Sequence, residues 1–155
     1  MAKQNKFNLK QAEKKARKAM EAAIVDVGNT AKVFFVDSFR KQGFDDKTVQ
    51  KWKPRKRTSY KTKGGKVVDD TTRATLVKTG DLKKSIIRNP ANRAALTVKI
   101  STDLDYAKIH NDGLMGKAWG KHPFKMPKRQ FMGDSYNLNE KVKAVIVKRL
   151  DKVFK

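Results

Sequence analysis

Residues 9–41 read LKQAEKKARKAMEAAIVDVGNTAKVFFVDSFRK, and the fold is decided there. The stretch has no proline, and apolar or small residues recur at Leu9, Ala12, Ala16, Ala19, Ala23, Val27, Ala31, Phe34, Phe35 and Ser38/Phe39. Steps of three and four put these side chains on one face of an α-helix. At 1.5 Å per residue that helix is about 50 Å long, more than the width of a domain of 155 residues, so part of it is expected to project. Its halves differ. The first offers mostly alanine to a neighbour and carries Lys10, Lys14, Lys15, Arg17 and Lys18, whereas the second carries Ile24, Val27, Phe34, Phe35 and Phe39. An alanine stripe buries little area at about 25 cal/mol per Å², so residues 1–22 are read as a projecting arm and the second half as core. Gly28-Asn29-Thr30 is read as a weak point between the halves, and Gly43 as the residue that closes the helix.

Downstream the character changes. Residues 47–66 hold Lys47, Lys51, Lys53, Arg55, Lys56, Arg57, Lys61, Lys63 and Lys66 without one acid, punctuated by Pro54 and Gly64-Gly65, and are read as a basic loop or ribbon. Val67-Val68 suggests a short strand on its far side. In Leu76–Ile87, Thr79 or Asp81 can cap a short helix whose inner face is Leu82 and Ile86. Leu96–Thr102 alternates with period two, which places Leu96, Val98 and Ile100 on one face of a strand. A short helix with Tyr106, Ala107, Ile109 and His110 should follow Asp103 or Asp105, before Asn111-Asp112-Gly113. Residues 113–133, rich in Gly and Lys and again without an acid, are read as a second basic loop. Leu138, Val142, Val145/Ile146, Leu150 and Val153 then mark a closing helix over about residues 137–154. The sum is one α+β domain over 1–155: a long N-terminal helix, a small, mostly antiparallel sheet with short helices, and a C-terminal helix.

Thirty-eight Lys and Arg face 15 Asp and Glu, a formal charge of +23, and 38% of the residues are hydrophobic. Such a charge favours approach to polyanions and makes nucleic acid or an acidic protein the expected neighbour. There is no cysteine, which removes disulfides, thiolate metal sites and thiol nucleophiles. No apolar run approaches the ~20 residues needed to span a bilayer, and the N-terminal residues lack the apolar segment of a signal peptide. Neither a membrane nor a cofactor is expected.

Candidates for chemistry are few. His110 and His122, with Asp112 between them, fit no zinc or nuclease spacing, and two histidines without cysteine more often pack or cap. Ser85 and Ser135 have no base at a recognisable spacing, Asp45-Asp46 and Asp69-Asp70 read as turn residues, and no phosphate-binding glycine pattern follows a strand. No catalytic or metal residue is assigned. For polyanion binding the candidates are Lys51, Trp52, Lys53, Arg55, Lys56, Arg57, Lys61 and Lys63, since cations neutralise phosphates and an interleaved aromatic can stack on bases. Trp52 as a core anchor is the equal alternative. No motif for sequence-specific readout is present.

Four phrases in fixed order carry more information: Trp52-Lys-Pro-Arg; Leu76-x-x-Thr-Gly80-x-Leu82-x-x-Ser85-Ile86; Tyr106-Ala107-x-Ile109-His110-Asn111-x-Gly113; and Met126-Pro127-x-Arg129-x-Phe131-Met132-Gly133-x-Ser135. Over about residues 40–150 this order resembles the phage virion morphogenesis family, the tail-completion proteins of tailed phages. The resemblance implies a non-enzymatic structural protein at the neck or head-proximal tail end, assembled in the bacterial cytoplasm and retained in the virion. Its implied partners are head-completion, tail-terminator, tube or portal-proximal proteins, together with further copies of itself in a ring. It also implies structural or interface roles for Thr79, Gly80, Leu82, Tyr106, His110, Gly113, Pro127, Arg129, Phe131 and Gly133, with Tyr106 and Ile109 as buried anchors. Two other readings stand beside it: a non-specific nucleic-acid-binding accessory protein, and a nuclease using His110 and Asp112.

Overall fold

A computed structural model describes residues 8–55, 59–69, 73–118 and 120–154. Helix α1 spans Leu9–Lys41 without interruption, opened by Asn8, whose side chain accepts the Gln11 amide at 3.1 Å. Gly28 is not a weak point. It is buried, and a Cβ there would lie 2.7 Å from both Arg88 Cδ and Val98 Cγ2, so the missing side chain is what lets the segment 87–101 sit against the helix. At the C-terminus the left-handed residue is Gln42 (φ 52), not Gly43. The Gln42 side chain holds that conformation: Nε2 donates to the carbonyls of Phe39 (2.6 Å) and Thr75 (3.2 Å), while Oε1 accepts the Thr75 amide at 2.5 Å. Gly43 is needed for a different reason, since a Cβ there would meet the Gln50 carbonyl at 2.6 Å across the first strand pair.

The antiparallel pairing expected of a small sheet is present, divided among four separate two-stranded ladders in the described residues. They pair β1 (Gly43–Asp45) with β2 (Val49–Lys51), β3 (Ser59–Lys61) with β4 (Val67–Asp69), β5 (Ile87–Arg88) with β6 (Ile100–Ser101), and β7 (Met115–Ala118) with β8 (His122–Lys125). The strand expected over Leu96–Thr102 is assigned only at Ile100–Ser101; Leu96 is left-handed (φ 52), Thr97 makes an isolated bridge with Asn92, and the Asn89 amide donates to the Lys99 carbonyl at 2.9 Å. Most of the second basic loop is the β7–β8 hairpin. Gly116 leaves room there for the ring of Phe124, whose Cζ would be 2.6 Å from an added Cβ. Short helices α2 (Asp81–Lys84) and α3 (Tyr106–Asp112) lie between the ladders, and Gly113 (φ 70) closes α3 as its sequence position requires.

Helix α4 (Tyr136–Phe154) packs antiparallel along α1, tied at one end by Asn137 Nδ2 to Asp45 Oδ1 (2.7 Å) and at the other by Arg149 Nε to Asp26 Oδ2 (2.6 Å). Ser135 starts it: its Oγ accepts the Leu138 amide at 3.1 Å and donates to the Asp45 carbonyl at 2.7 Å, which fixes the helix origin to β1. The core gathers where α1, α3, α4 and the connecting segments meet, around Phe34, Phe35, Phe39, Phe44, Ile86 and Phe131. Phe39 is central, with its ring 5.4 Å from Trp52 edge-on and 5.4 Å from Phe131 in a tilted pair. Each such aromatic contributes on the order of 1.5–3 kcal/mol through burial, and the pairings add to it.

The arm is shorter than residues 1–22. Ala19 and Ala23 are buried, and the Arg17 guanidinium reaches the carbonyls of Arg93 (3.5 Å) and Ala94, so packing within the chain begins near Arg17. Leu9, by contrast, is 74% exposed. Residues 1–7 lie outside the described residues.

Candidate functional site

Three of the four sequence phrases meet in one junction. After α3 closes at Gly113, the segment 126–132 returns alongside it, and three contacts splice the two: the Arg129 amide donates to the His110 carbonyl at 2.8 Å, and the Asn111 side-chain oxygen accepts the amides of Phe131 (2.9 Å) and Met132 (3.0 Å). Gly113 is forced twice over, by its φ of +70° and because a Cβ would stand 2.8 Å from the Lys128 nitrogen. The Trp52 phrase closes the junction from the other side. Trp52 Nε1 donates to the Gln130 carbonyl at 2.7 Å, and Arg129 Nε donates to the Lys53 carbonyl at 3.1 Å.

This placement corrects one role. Trp52 is 7% exposed with its indole N–H satisfied, so its ring is a core anchor and has no face to offer a base. The cations around it scatter. Lys51 Nζ donates to the Lys41 carbonyl at 2.8 Å at the end of α1, Arg55 Nη2 donates to the Arg73 carbonyl at 3.4 Å, and Lys61 and Lys63 are exposed on the β3–β4 ribbon and its turn. Lys56 and Arg57 lie outside the described residues. Of the six described members of the set, Trp52, Lys53 and Arg55 join the junction, while Lys51 lies at the end of α1 and Lys61 and Lys63 on the β3–β4 ribbon.

Among the residues implied by the resemblance, Leu82 and Phe131 are buried in the core, and Pro127 is half-buried beside Arg129. Thr79 accepts the Asp81 amide at 3.4 Å, and Gly80 (φ 78) turns the chain into α2. Gly133 has φ +144 and abuts the Gln130 side chain. Tyr106 is not the buried anchor expected. It is 42% exposed, and the residue of that turn buried in the core is Ala107. Tyr106 instead stands edge-on to His110, centroids 6.0 Å apart, in a cavity of about 160 Å³ that the Leu76 phrase and Arg55 also line. His110 Nδ1 is buried without a partner, and burial, reinforced by the Arg129 charge, holds the imidazole below the ordinary histidine pKa. His122 lies on the exposed β8 strand.

Arg129 is the unusual group. Its side chain is 6% exposed, its Nη1 meets only the Met126 sulfur at 3.5 Å, and no carboxylate of the described residues pairs with it. Burial, and then the charge of Arg55, push its pKa down. It lies on the wall of an open groove of about 940 Å³ between residues 53–55 and 125–129. Asn111 and Ser135 belong to the phrases too, but only their geometry shows that one joins two chain segments and the other starts α4. The described residues contain no group of three or more His, Asp or Glu able to hold a metal ion, and no helix long and apolar enough to cross a membrane.

The chain matches the phage virion morphogenesis family over residues 7–151. No curated protein and no solved structure matches it.

Proposed function

We propose, from the premise that this chain belongs to the phage virion morphogenesis family, that it is a structural protein of the neck or head-proximal tail end, which completes the tail or joins it to the DNA-filled head. A role in building a phage virion follows from the family itself. The observation that carries the finer reading is the junction. Three of the four phrases that carry the resemblance hold three chain segments together around Phe39, Trp52 and Phe131, which is the economy of a scaffold.

The charge bears on the setting. A ring of copies carrying +23 each repels itself unless polyanions or acidic neighbours lie close, so a position beside packaged DNA or against acidic head-completion, terminator, tube or portal-proximal proteins suits it. The test is a phage with the gene deleted. Separate DNA-filled heads and unjoined tails in its lysates, corrected by the gene in trans, together with density for this fold at the neck of the complete particle, are the expected results. Normal particles from the deletion sink the reading.

A second reading, non-specific DNA binding in solution, is favoured by the β3–β4 ribbon, on which Lys61, Lys63 and Lys66 are all exposed. With about five phosphates neutralised, log K falls against log salt with a slope of about −4 to −5. A flat salt response argues against it.

A further inference from the structure

We propose that the groove between residues 53–55 and 125–129 is a docking site for an acidic polypeptide segment of a neighbouring virion protein, one of whose carboxylates pairs with Arg129. The inference rests on the assembly role proposed above and names the chemistry of a partner.

The first argument is an incomplete ion pair. A guanidinium carries five N–H donors, and a buried one without an anion is costly. Arg129 spends Nε on the Lys53 carbonyl and brings Nη1 only to a thioether, a weak acceptor. No anion reaches it from within the described chain, yet the residue is 6% exposed and borders the groove. None of the described residues supplies its counter-charge, and the groove opens the site to an anion from a partner. As a purely structural clamp, one hydrogen bond to a carbonyl would not call for a charged side chain.

The second argument selects the occupant. The groove walls carry Lys53, Arg55, Lys125, Lys128 and Arg129, which attract any anion, but also Asp112, fixed by Asn111 Nδ2 at 2.8 Å. A carboxylate on the wall repels a phosphate backbone, which offers only acceptors along its length. A polypeptide brings backbone N–H donors as well as carboxylates, so Asp112 and the cations can both be satisfied by it. Depth agrees: a rigid duplex rests on the exposed rims at Lys53, Lys125 and Lys128, whereas a Glu side chain reaches down to a nearly covered guanidinium. Two segments without helix, 53–55 and 125–129, border the space along its length, which suits a linear stretch of peptide.

The experiment is an NMR titration of the isotope-labelled full chain with a blocked hexaglutamate peptide and, separately, with a 20-base-pair duplex. The peptide is expected to shift the Arg129 Nε–Hε signal and the amides of Lys53, Arg55, Asp112 and Lys128 in a saturable way, while the duplex moves exposed lysines and leaves the Arg129 signal in place. Reversing two exposed rim charges together, Lys125→Glu and Lys128→Glu, should weaken the peptide by about ten-fold with Tm unchanged. The same reversal at Lys10 and Lys14 should leave the Arg129 shift intact. A saturating peptide that leaves Arg129 unmoved, a duplex that moves it as strongly, or equal weakening by the Lys10/Lys14 pair overturns the proposal. In phage, full particle yield with the rim charges reversed ends the role of the groove alone, whereas full yield from the gene deletion ends the assembly reading.

Discussion

The side-chain oxygen of Asn111 accepts the backbone amide of Phe131 at 2.9 Å, so the last turn of α3 holds the segment that carries the most deeply buried aromatic ring of the core. The same oxygen takes the Met132 amide. Replacing Asn111 with Ala therefore strands two donors behind Phe131, and a stranded buried donor costs about 1–3 kcal/mol. We expect Asn111→Ala to lose about 2–4 kcal/mol and on the order of 10 °C in Tm. Asn111→Asp, which keeps the acceptor, should lose less despite facing Asp112. Equal losses for the two would mean that the amide's volume, not its oxygen, matters.

Gly113 and Gly64 make a matched pair for thermal denaturation. At Gly113 a methyl group meets Lys128 backbone at 2.8–2.9 Å with φ at +70°, and backbone cannot move aside as a flexible side chain can. At Gly64 nothing lies within 4 Å. Gly113→Ala should cost more than about 2 kcal/mol, from the left-handed penalty plus displacement of the 126–132 segment, and Gly64→Ala should be within about 0.5 kcal/mol of neutral. A tolerated Gly113→Ala would mean that the junction slides freely, contrary to the hydrogen bonds across it.

How much of this was legible in the sequence varies with the range of the cause. Helix α1 and the closing helix follow from local periodicity, and both ends of α1 fall where the apolar stripe does. The strand at Leu96 is shorter than its alternation and the basic stretch 113–133 is more ordered than its composition, for opposite reasons. A positive φ at a leucine has no local signature, and the alternation in β7 and β8 is hidden by glycine, proline and lysine, whose pairing is driven by a turn and by Phe124 lying over Gly116. Gly28 reads as a weak point and Trp52 stays open between two roles because their partners, Arg88 and Val98 for one and Gln130 for the other, are remote in sequence. Of the candidate site, the phrases were visible and their meeting was not.

His110 gives the domain an acid-sensitive element. Burial, and then the Arg129 charge, lower its pKa in the folded chain; Tyr106, Arg55, Lys78 and Asp81 line the same cavity and add no partner for Nδ1. The unfolded chain thus binds more protons at this site, and stability is present in full above the unfolded value of about 6.5 and lost as the pH falls below it. Asp37, held low chiefly by its bond to Arg40, and Asp45, held low chiefly by Lys41, contribute in the same direction, but only below their ordinary value of 3.8. Tm measured between about pH 7.5 and 5 should fall in the wild type and fall less in His110→Gln. Parallel curves for the two proteins would remove His110 as the cause.

The last expectation concerns the free turns of α1. Asn8 to Arg17 includes Leu9 at 74% exposure and three lysines, Lys10, Lys14 and Lys15, with Lys18 just beyond, while the first buried alanine is Ala19. An exposed helical segment that buries little apolar area gains little from its own domain, and like charges along it oppose its folding when unpartnered. Ordering against an acidic surface would supply both the buried area and the counter-charge. Deleting residues 1–16 should therefore shift Tm by no more than about 2 °C, since the Arg17 contacts and the Ala19 and Ala23 packing remain. In the phage the same deletion should block joining of heads and tails while the truncated protein accumulates as a folded species. If the truncated protein instead unfolds, those turns belong to the core; if it supports a full yield of infectious particles, the arm takes no part in assembly.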